Sequence, residues 1–270
     1  MHGTNNQIQP HHEAPARMWG LGGHHYDDVS FAISDALAHA AKRLAAQAGE
    51  TVLDVATGTG WSARNAARSG AKVTGIDISE ELLAAARDLA PPALSLGFRC
   101  ADAERLPFDD GAFDQVISTF GVMFAANQQR AADELARVCK PGGRLVIATW
   151  VPGGSVAQFF GIVGKHAGDP PPEQSPLAWG DREHVRSLLG EAFELVFESG
   201  TSHDYYDGVQ EIWDWYVRGF GPVRQLANTL DAEALAAFRA DVDDYHRHYL
   251  TSAGLLHVKR DYLLVTGTRR

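Results

Sequence analysis

Thr51-Val52-Leu53-Asp54-Val55 runs straight into Ala56-Thr57-Gly58-Thr59-Gly60 and then into an alanine-rich stretch over 61–69, closed by Gly70. A short apolar run, a glycine-rich turn and a helix-forming segment read as a buried strand feeding a helix. Small residues at such a turn let a ligand approach the backbone. The following helix N-terminus offers unpaired N–H groups. Gly58-Thr59-Gly60 with Ala63 fits G-x-G-x-x-A, a pattern that suits a dinucleotide as well as an adenosyl group.

The same rhythm extends outward. Upstream, Leu37, Ala40, Ala41 and Leu44 recur at helical spacing from Ser34, and Gly49 is the expected stop. Downstream, 72–76 reads as a second strand ending at Asp77. Ser79 is the expected N-cap of the next helix, with Glu80 and Glu81 in its first turn and Pro91-Pro92 at its end. Further strands fall at 95–100, 113–118 and 144–150, with a helix over 128–139 and a turn at Pro141-Gly142-Gly143. Alternation of this kind predicts a parallel α/β sheet with helices on both faces. After Trp150 the pattern changes. Residues 152–182 are rich in glycine and proline, 193–197 reads as a strand, 208–249 as mostly helical and 262–268 as a last strand.

Length and composition bound the function. The chain has 270 residues, enough for one large domain or a core with a sizeable lid. The formal net charge is −10 and no basic run occurs, which argues against nucleic acid as a partner. Cys100 and Cys139 lie in no metal-binding or redox spacing and read as free, buried thiols. Residues 1–17 are polar and histidine-rich, lack the apolar core of a signal peptide and read as a flexible arm. No apolar stretch reaches the roughly 20 residues needed to span a bilayer, so a soluble, cytoplasmic protein is expected.

Three features separate an adenosyl sulfonium from a nicotinamide dinucleotide. Asp77 at a strand tip can accept ribose hydroxyls in either case. Asp54, however, lies four residues before Gly58, where a diphosphate has no use for an acid. Ala101-Asp102-Ala103-Glu104 follows the third strand, where Asp102 can accept an adenine amino group. The chain also closes with an extra strand pair rather than a second mononucleotide half.

With these motifs in order, the chain resembles the class I S-adenosylmethionine (SAM)-dependent methyltransferases of the ubiquinone/menaquinone-biosynthesis type. Residues 52–60 are similar to the first family motif and 73–79 to the second-strand motif. Residues 101–108 with Phe113-Asp114 are similar to the segment around strands three and four. Residues 135–144, with Arg137 and Pro141-Gly142-Gly143, resemble the turn before strand five. The resemblance covers about 50–150. It implies a Rossmann-like, mostly parallel seven-stranded sheet with an antiparallel last strand. The implied organisation is an arm at 1–17, a SAM-binding core at 18–151, a helical lid insertion at 152–250 and a final strand within 251–270.

The resemblance also implies the cofactor SAM and the residues that meet it. These are Asp54 and the Ala56, Thr57, Gly58 and Gly60 backbone at the methionine and ribose, and Asp77 and Ile78 at the ribose. Asp102, Ala103 and Glu104 lie at the adenine, and Ser118, Thr119 and Phe120 near the donor. The family usually has glycine where this chain has Ala56, and alanine fits if φ is negative there. Trp61 either walls the methionine end or packs on the sheet.

Methyl transfer from a sulfonium is an in-line displacement that needs alignment and a dry pocket more than acid–base help. The implied acceptor is a small molecule methylated at O, N or C. Tyr26 is the candidate lid contact on the cofactor. Trp19, His24, Met123, Phe124, Trp213 and Tyr216 are candidate acceptor contacts, with core packing the alternative for the late aromatics. The twelve histidines form no ligand pattern, and His246 and His248 are expected on different sides of a helix. No metal and no catalytic residue is assigned. The competing readings are an NAD(P)-dependent oxidoreductase on the same fold and a SAM-binding protein without turnover; a monomer or homodimer is expected.

Overall fold

The computed structural model describes residues 8–168, 170 and 172–270. Its centre is β1 (Thr51–Val55), whose side chains from Val52 onward are buried, as a strand covered on both faces requires. It pairs in parallel with β2 (Lys72–Asp77) and β4 (Phe113–Thr119), and β3 (Leu96–Cys100) extends the sheet beyond β2. β5 (Cys139–Trp150) pairs in parallel with β4. β7 (Leu256–Arg269) then runs antiparallel between β5 and β6 (Phe193–Tyr206), giving the order β3-β2-β1-β4-β5-β7-β6. The expected seven-stranded sheet with an antiparallel last strand is thus present.

The chain leaves β1 toward β3 and returns to β4 on the other side. This places a crevice at the carboxyl ends of β1 and β4, where a doubly wound sheet binds its ligand. Helices α3 (Ser34–Leu44), α4 (Trp61–Ala67), α5 (Glu80–Leu89) and α6 (Gln128–Val138) cover the faces. Ser79 caps α5 by accepting from the Leu82 amide, as expected. α3 ends earlier than Gly49: Ala45 turns left-handed at φ 51° and stops it.

Two segments depart from expectation. The supposed arm is ordered where it is described: Pro10–His12 form a 3-10 turn and Glu13–Gly20 a helix, α1, followed by α2 (Tyr26–Phe31). Buried His12 anchors it by hydrogen bonds. Residues 1–7 lie outside the described residues. The 152–250 stretch is not one insertion, because β6 returns from it to the sheet. Its helices α7 (Ser155–Ala167), α9 (Val209–Gly219), α10 (Gly221–Thr229) and α11 (Ala232–Arg247) pack over the crevice, whereas α8 (Arg182–Leu189) stays beside the sheet. The cap has its own core, including Phe159, Trp213, Tyr216, Phe238 and Val242, separate from the core around the sheet. Among the described residues no helix is long and apolar enough to cross a membrane. Cys139 is buried and Cys100 half-buried, and both are free thiols.

Candidate functional site

A cleft opens at the carboxyl edge of the sheet, where a doubly wound sheet places its ligand. The turn after β1 forms its floor through Ala56, Thr57 and Gly58. Gly58 (φ 55°) and Gly60 (φ 85°) are left-handed. A side chain on Gly60 would press to 2.8 Å from the Phe98 ring, so the turn needs glycine there.

Asp77 ends β2 and faces this turn. Its Oδ2 accepts from the Gly58 amide at 2.9 Å and its Oδ1 from the Ser79 amide at 3.0 Å. Each oxygen keeps a lone pair for a ligand. Burial pushes its pKa above the ordinary carboxylate value, although the amides oppose this.

Asp54 stands behind the turn, 1% exposed. Its Oδ2 accepts from the Thr57 hydroxyl at 2.7 Å, while Oδ1 is buried without a hydrogen-bond partner among the described residues. Burial pushes its pKa up to about 7, with the nearby Asp77 charge adding to the shift. Two buried carboxylates with one orphaned oxygen form a site that rewards a cation and penalises an anion.

At the far end of the cleft, Asp102 is fully buried. Its Oδ2 accepts from the Gln9 amide at 2.8 Å and pairs with His12 Nδ1 at 2.7 Å. Its Oδ1 accepts from the Glu104 amide at 2.9 Å. Burial disfavours charge on His12, but the Asp102 bond and the Asp102 and Glu104 charges outweigh it and raise its pKa. Glu104 pairs with His11 at 3.0 Å and accepts from the Asn127 amide at 2.7 Å. His11, His12 and Glu104 therefore gather ligand-type atoms within 4.8 Å, a grouping the sequence spacing did not reveal. Here their hydrogen bonds hold the 3-10 turn against the loop after β3.

The roof is Tyr26, whose ring carbon would lie 3.3 Å from a side chain on Gly58. The next residue fixes it. Asp27 accepts from the Thr59 hydroxyl and from Arg64, each at 2.8 Å, tying α2 to the turn and to α4. Burial raises the Tyr26 pKa further from neutrality, so the ring stays uncharged.

Two non-glycine residues at the cleft are left-handed: Ala56 and Phe120, both at φ 56°. The negative φ on which Ala56 was expected to fit is therefore not adopted. Gly121 compensates, since any Cβ there would lie 2.4 Å from the Ala56 methyl. Such strain costs about 1–2 kcal/mol per residue and tends to collect at functional sites. Phe120 stacks on Trp150 with ring centres 3.8 Å apart.

Beyond Phe120, Trp19 and Tyr26, which wall both spaces, lies an inner chamber between the sheet edge and the cap. Its walls are largely aromatic. Its polar groups include Tyr216, His246 and Arg260, which are buried, and Ser155 and Tyr245, which are half-buried.

Of the residues expected at the cofactor, Tyr26, Ala56, Thr57, Gly58, Trp61, Asp77, Ile78, Asp102, Ala103, Thr119 and Phe120 line the cleft. Asp54, Gly60, Glu104 and Ser118 stand behind its wall. Ser118 donates to the Val55 carbonyl at 2.8 Å and accepts from the Val122 amide at 3.1 Å, bracing two strand ends. Of the acceptor candidates, Trp19 and Phe124 line both spaces and Tyr216 lines the inner chamber. Met123 is fully buried in the sheet core, and Trp213 packs on Phe238 in the cap core. His24 is exposed and bonds Asp88 at 2.9 Å. Sequence reading missed His12, Asp27, His246 and Arg260. Only Arg260 left a signal, as a charged residue at an inward position of an alternating strand, Leu256, Val258, Arg260, Tyr262.

Residues 53–147 match the methyltransferase domain family. The Rv1403c protein of Mycobacterium tuberculosis is 33% identical over 277 residues, covering 95% of this chain and 96% of its own. A demethylmenaquinone methyltransferase of Tropheryma whipplei is 35% identical over 178 residues, covering 66% of this chain and 64% of its own. The crystal structure of the YcgJ protein of Bacillus subtilis superimposes with a TM-score of 0.61 at 20% identity. It covers 88% of this chain and 99% of its own, which supports the fold.

Proposed function

The chain belongs to the class I SAM-dependent methyltransferases, and from that premise we propose that it methylates a small molecule held in the inner chamber. One observation carries this reading. The turn that could cradle either a diphosphate or a sulfonium is backed by the buried Asp54, whose Oδ1 has no hydrogen-bond partner among the described residues, with the buried Asp77 beside it. A diphosphate would meet repulsion there, whereas the cationic methionine end of SAM would meet charge of the opposite sign.

Bound SAM supplies an already activated methyl group. The chain's own residues bind, orient and exclude water. Asp77, which already accepts from the Gly58 and Ser79 amides, would hold the ribose hydroxyls on its remaining lone pairs, and the Ala56–Gly60 backbone would face the ribose and methionine. Asp54, behind the turn, would favour the positive end by its field rather than by contact. Ala103, Ile78 and His12 wall the adenine, with Asp102 orienting His12 more than receiving the base directly, since three donors already point at it. Tyr26 roofs the ribose. The stacked Phe120 and Trp150 rings present an apolar face between the chambers that would exclude water from a bound methyl donor.

Transfer of labelled methyl from SAM to a panel of small aromatic and aliphatic acceptors tests the reading. Turnover with at least one acceptor is expected, with Asp77→Ala sharply reducing it at subsaturating SAM. Tight SAM binding with no transfer to any acceptor would instead favour a SAM-binding protein without turnover.

A further inference from the structure

The inner chamber contains a charge that no protein group fully answers. Arg260 lies on β7 and points inward, 7% exposed. Its Nη2 donates to the Tyr206 hydroxyl at 3.2 Å. Among the described residues its Nη1 makes no hydrogen bond and has only a long ion pair, to Asp204 Oδ2 at 3.9 Å. An arginine is never discharged at working pH, so a buried, unspent pair of N–H donors is costly unless something else uses it. Three hydroxyl-bearing rings, Tyr206, Tyr216 and Tyr245, surround this end, and none of them is ionised. His246 donates from Nδ1 to the Val242 carbonyl at 2.8 Å, so its Nε2 is an acceptor facing Tyr216 and carries no charge to compete.

The rest of the chamber is apolar and aromatic. Phe159 stacks on Tyr216 with centres 4.5 Å apart, and Trp215, Phe160 and Phe220 complete a wall of ring faces. A flat apolar body fits such walls, and an anionic oxygen fits the Nη1 donors that Tyr206 leaves over.

We propose that the inner chamber takes an aromatic carboxylate, its ring against the Phe159 and Phe220 side and its carboxylate on Arg260 Nη1. The proposal rests on the methyl-transfer reading only for the claim that this ligand is the acceptor. Arg260 is then a specificity-determining residue at the end of the chamber away from the cleft, and it leaves the far edge of the ring turned toward Phe120 and the donor.

Calorimetry with 2-naphthoate and its neutral isostere 2-naphthamide tests this, using protein saturated with S-adenosylhomocysteine. Naphthoate is expected to bind about tenfold or more tightly than naphthamide, as a charge-assisted contact implies. Arg260→Gln is expected to erase the difference while homocysteine-product binding stays unchanged. Arg260→Lys, which keeps the charge but loses the planar fork, is expected to reduce it and serves if the glutamine variant does not fold. Equal affinity for the two probes, no binding of either, or a preference that survives Arg260→Gln would overturn the proposal. A chain that ignores S-adenosylhomocysteine yet keeps the Arg260-dependent preference would sink the methyl-transfer reading and leave the chamber assignment standing.

Discussion

The two chambers share a wall of Phe120, Trp19 and Tyr26 but are built in opposite ways. Much of the cleft comes from one stretch of chain: the turn at 56–60, the tip of β2 and the loop after β3 fall within about 50 residues, and each is a short-range motif. The inner chamber draws Trp19, Phe159, Tyr216, His246 and Arg260 from α1, α7, α9, α11 and β7, and none of these makes sense without the others. A site carried on strand ends inherits the rigidity of the sheet. A site between a sheet and a separately packed cap depends on the cap's own core, and it is where acceptor preference can change without disturbing the cofactor.

The sharpest way to break this comparison is to damage the cap alone. Trp213→Ala removes a buried indole that packs on Phe238 and beneath Arg239, and about 3–5 kcal/mol of stability should be lost. Urea unfolding reads that loss. Affinity for S-adenosylhomocysteine, measured on the folded variant, should change by less than about threefold; a collapse of both would mean that cap and cleft are one unit. Asp77→Ala does the reverse. It should cost about 2–4 kcal/mol of binding through the lost ribose contacts and leave the naphthoate affinity of the inner chamber intact.

Asp54 sharpens the electrostatic side. Its pKa is pushed to about 7 by burial, well above the roughly 3.9 of an unfolded aspartate, so the folded chain holds the proton more tightly. Its stabilising contribution is complete below about pH 4, declines as pH rises and is lost through pH 7, at no more than about 1.4 kcal/mol per pH unit. Unfolding of the wild type and of Asp54→Asn between pH 4.5 and 8.5, without cofactor, should show the wild type falling behind up to about pH 7 and a constant gap above. A pH-independent gap would mean that Asp54 is not the buried acid described here. The smallest effect belongs to Ala56→Gly. Relief of a left-handed alanine should add about 1 kcal/mol, visible as a small rise in Tm with cofactor affinity unchanged.

The legibility of the sequence divides along the same line. Strand, turn and acid are local signals, so β1 with its turn, Asp77 at a strand tip, and the Ser79 cap were readable from spacing. The end of α3 was not, because alanine seldom turns left-handed and Gly49 looked the better stop. The ordered 10–20 segment was unreadable for a different reason. Nothing in a polar, histidine-rich run announces that His12 will meet a carboxylate 90 residues away. Tertiary ion pairs have no period. Likewise Tyr216 and Trp213 lie three apart on one helix and both belong to the cap core, yet only Tyr216 also lines the chamber, a difference set by the packing partners Phe159 and Phe238.

The account turns on which ligand the acidic cleft accepts, and parallel calorimetry with S-adenosylhomocysteine, SAM and NADH decides that directly. Binding of the first two with no detectable heat from the dinucleotide is the expected result. Tight NADH binding beside indifference to the methyl donor and its product would contradict it, because two buried carboxylates would then be hosting a diphosphate.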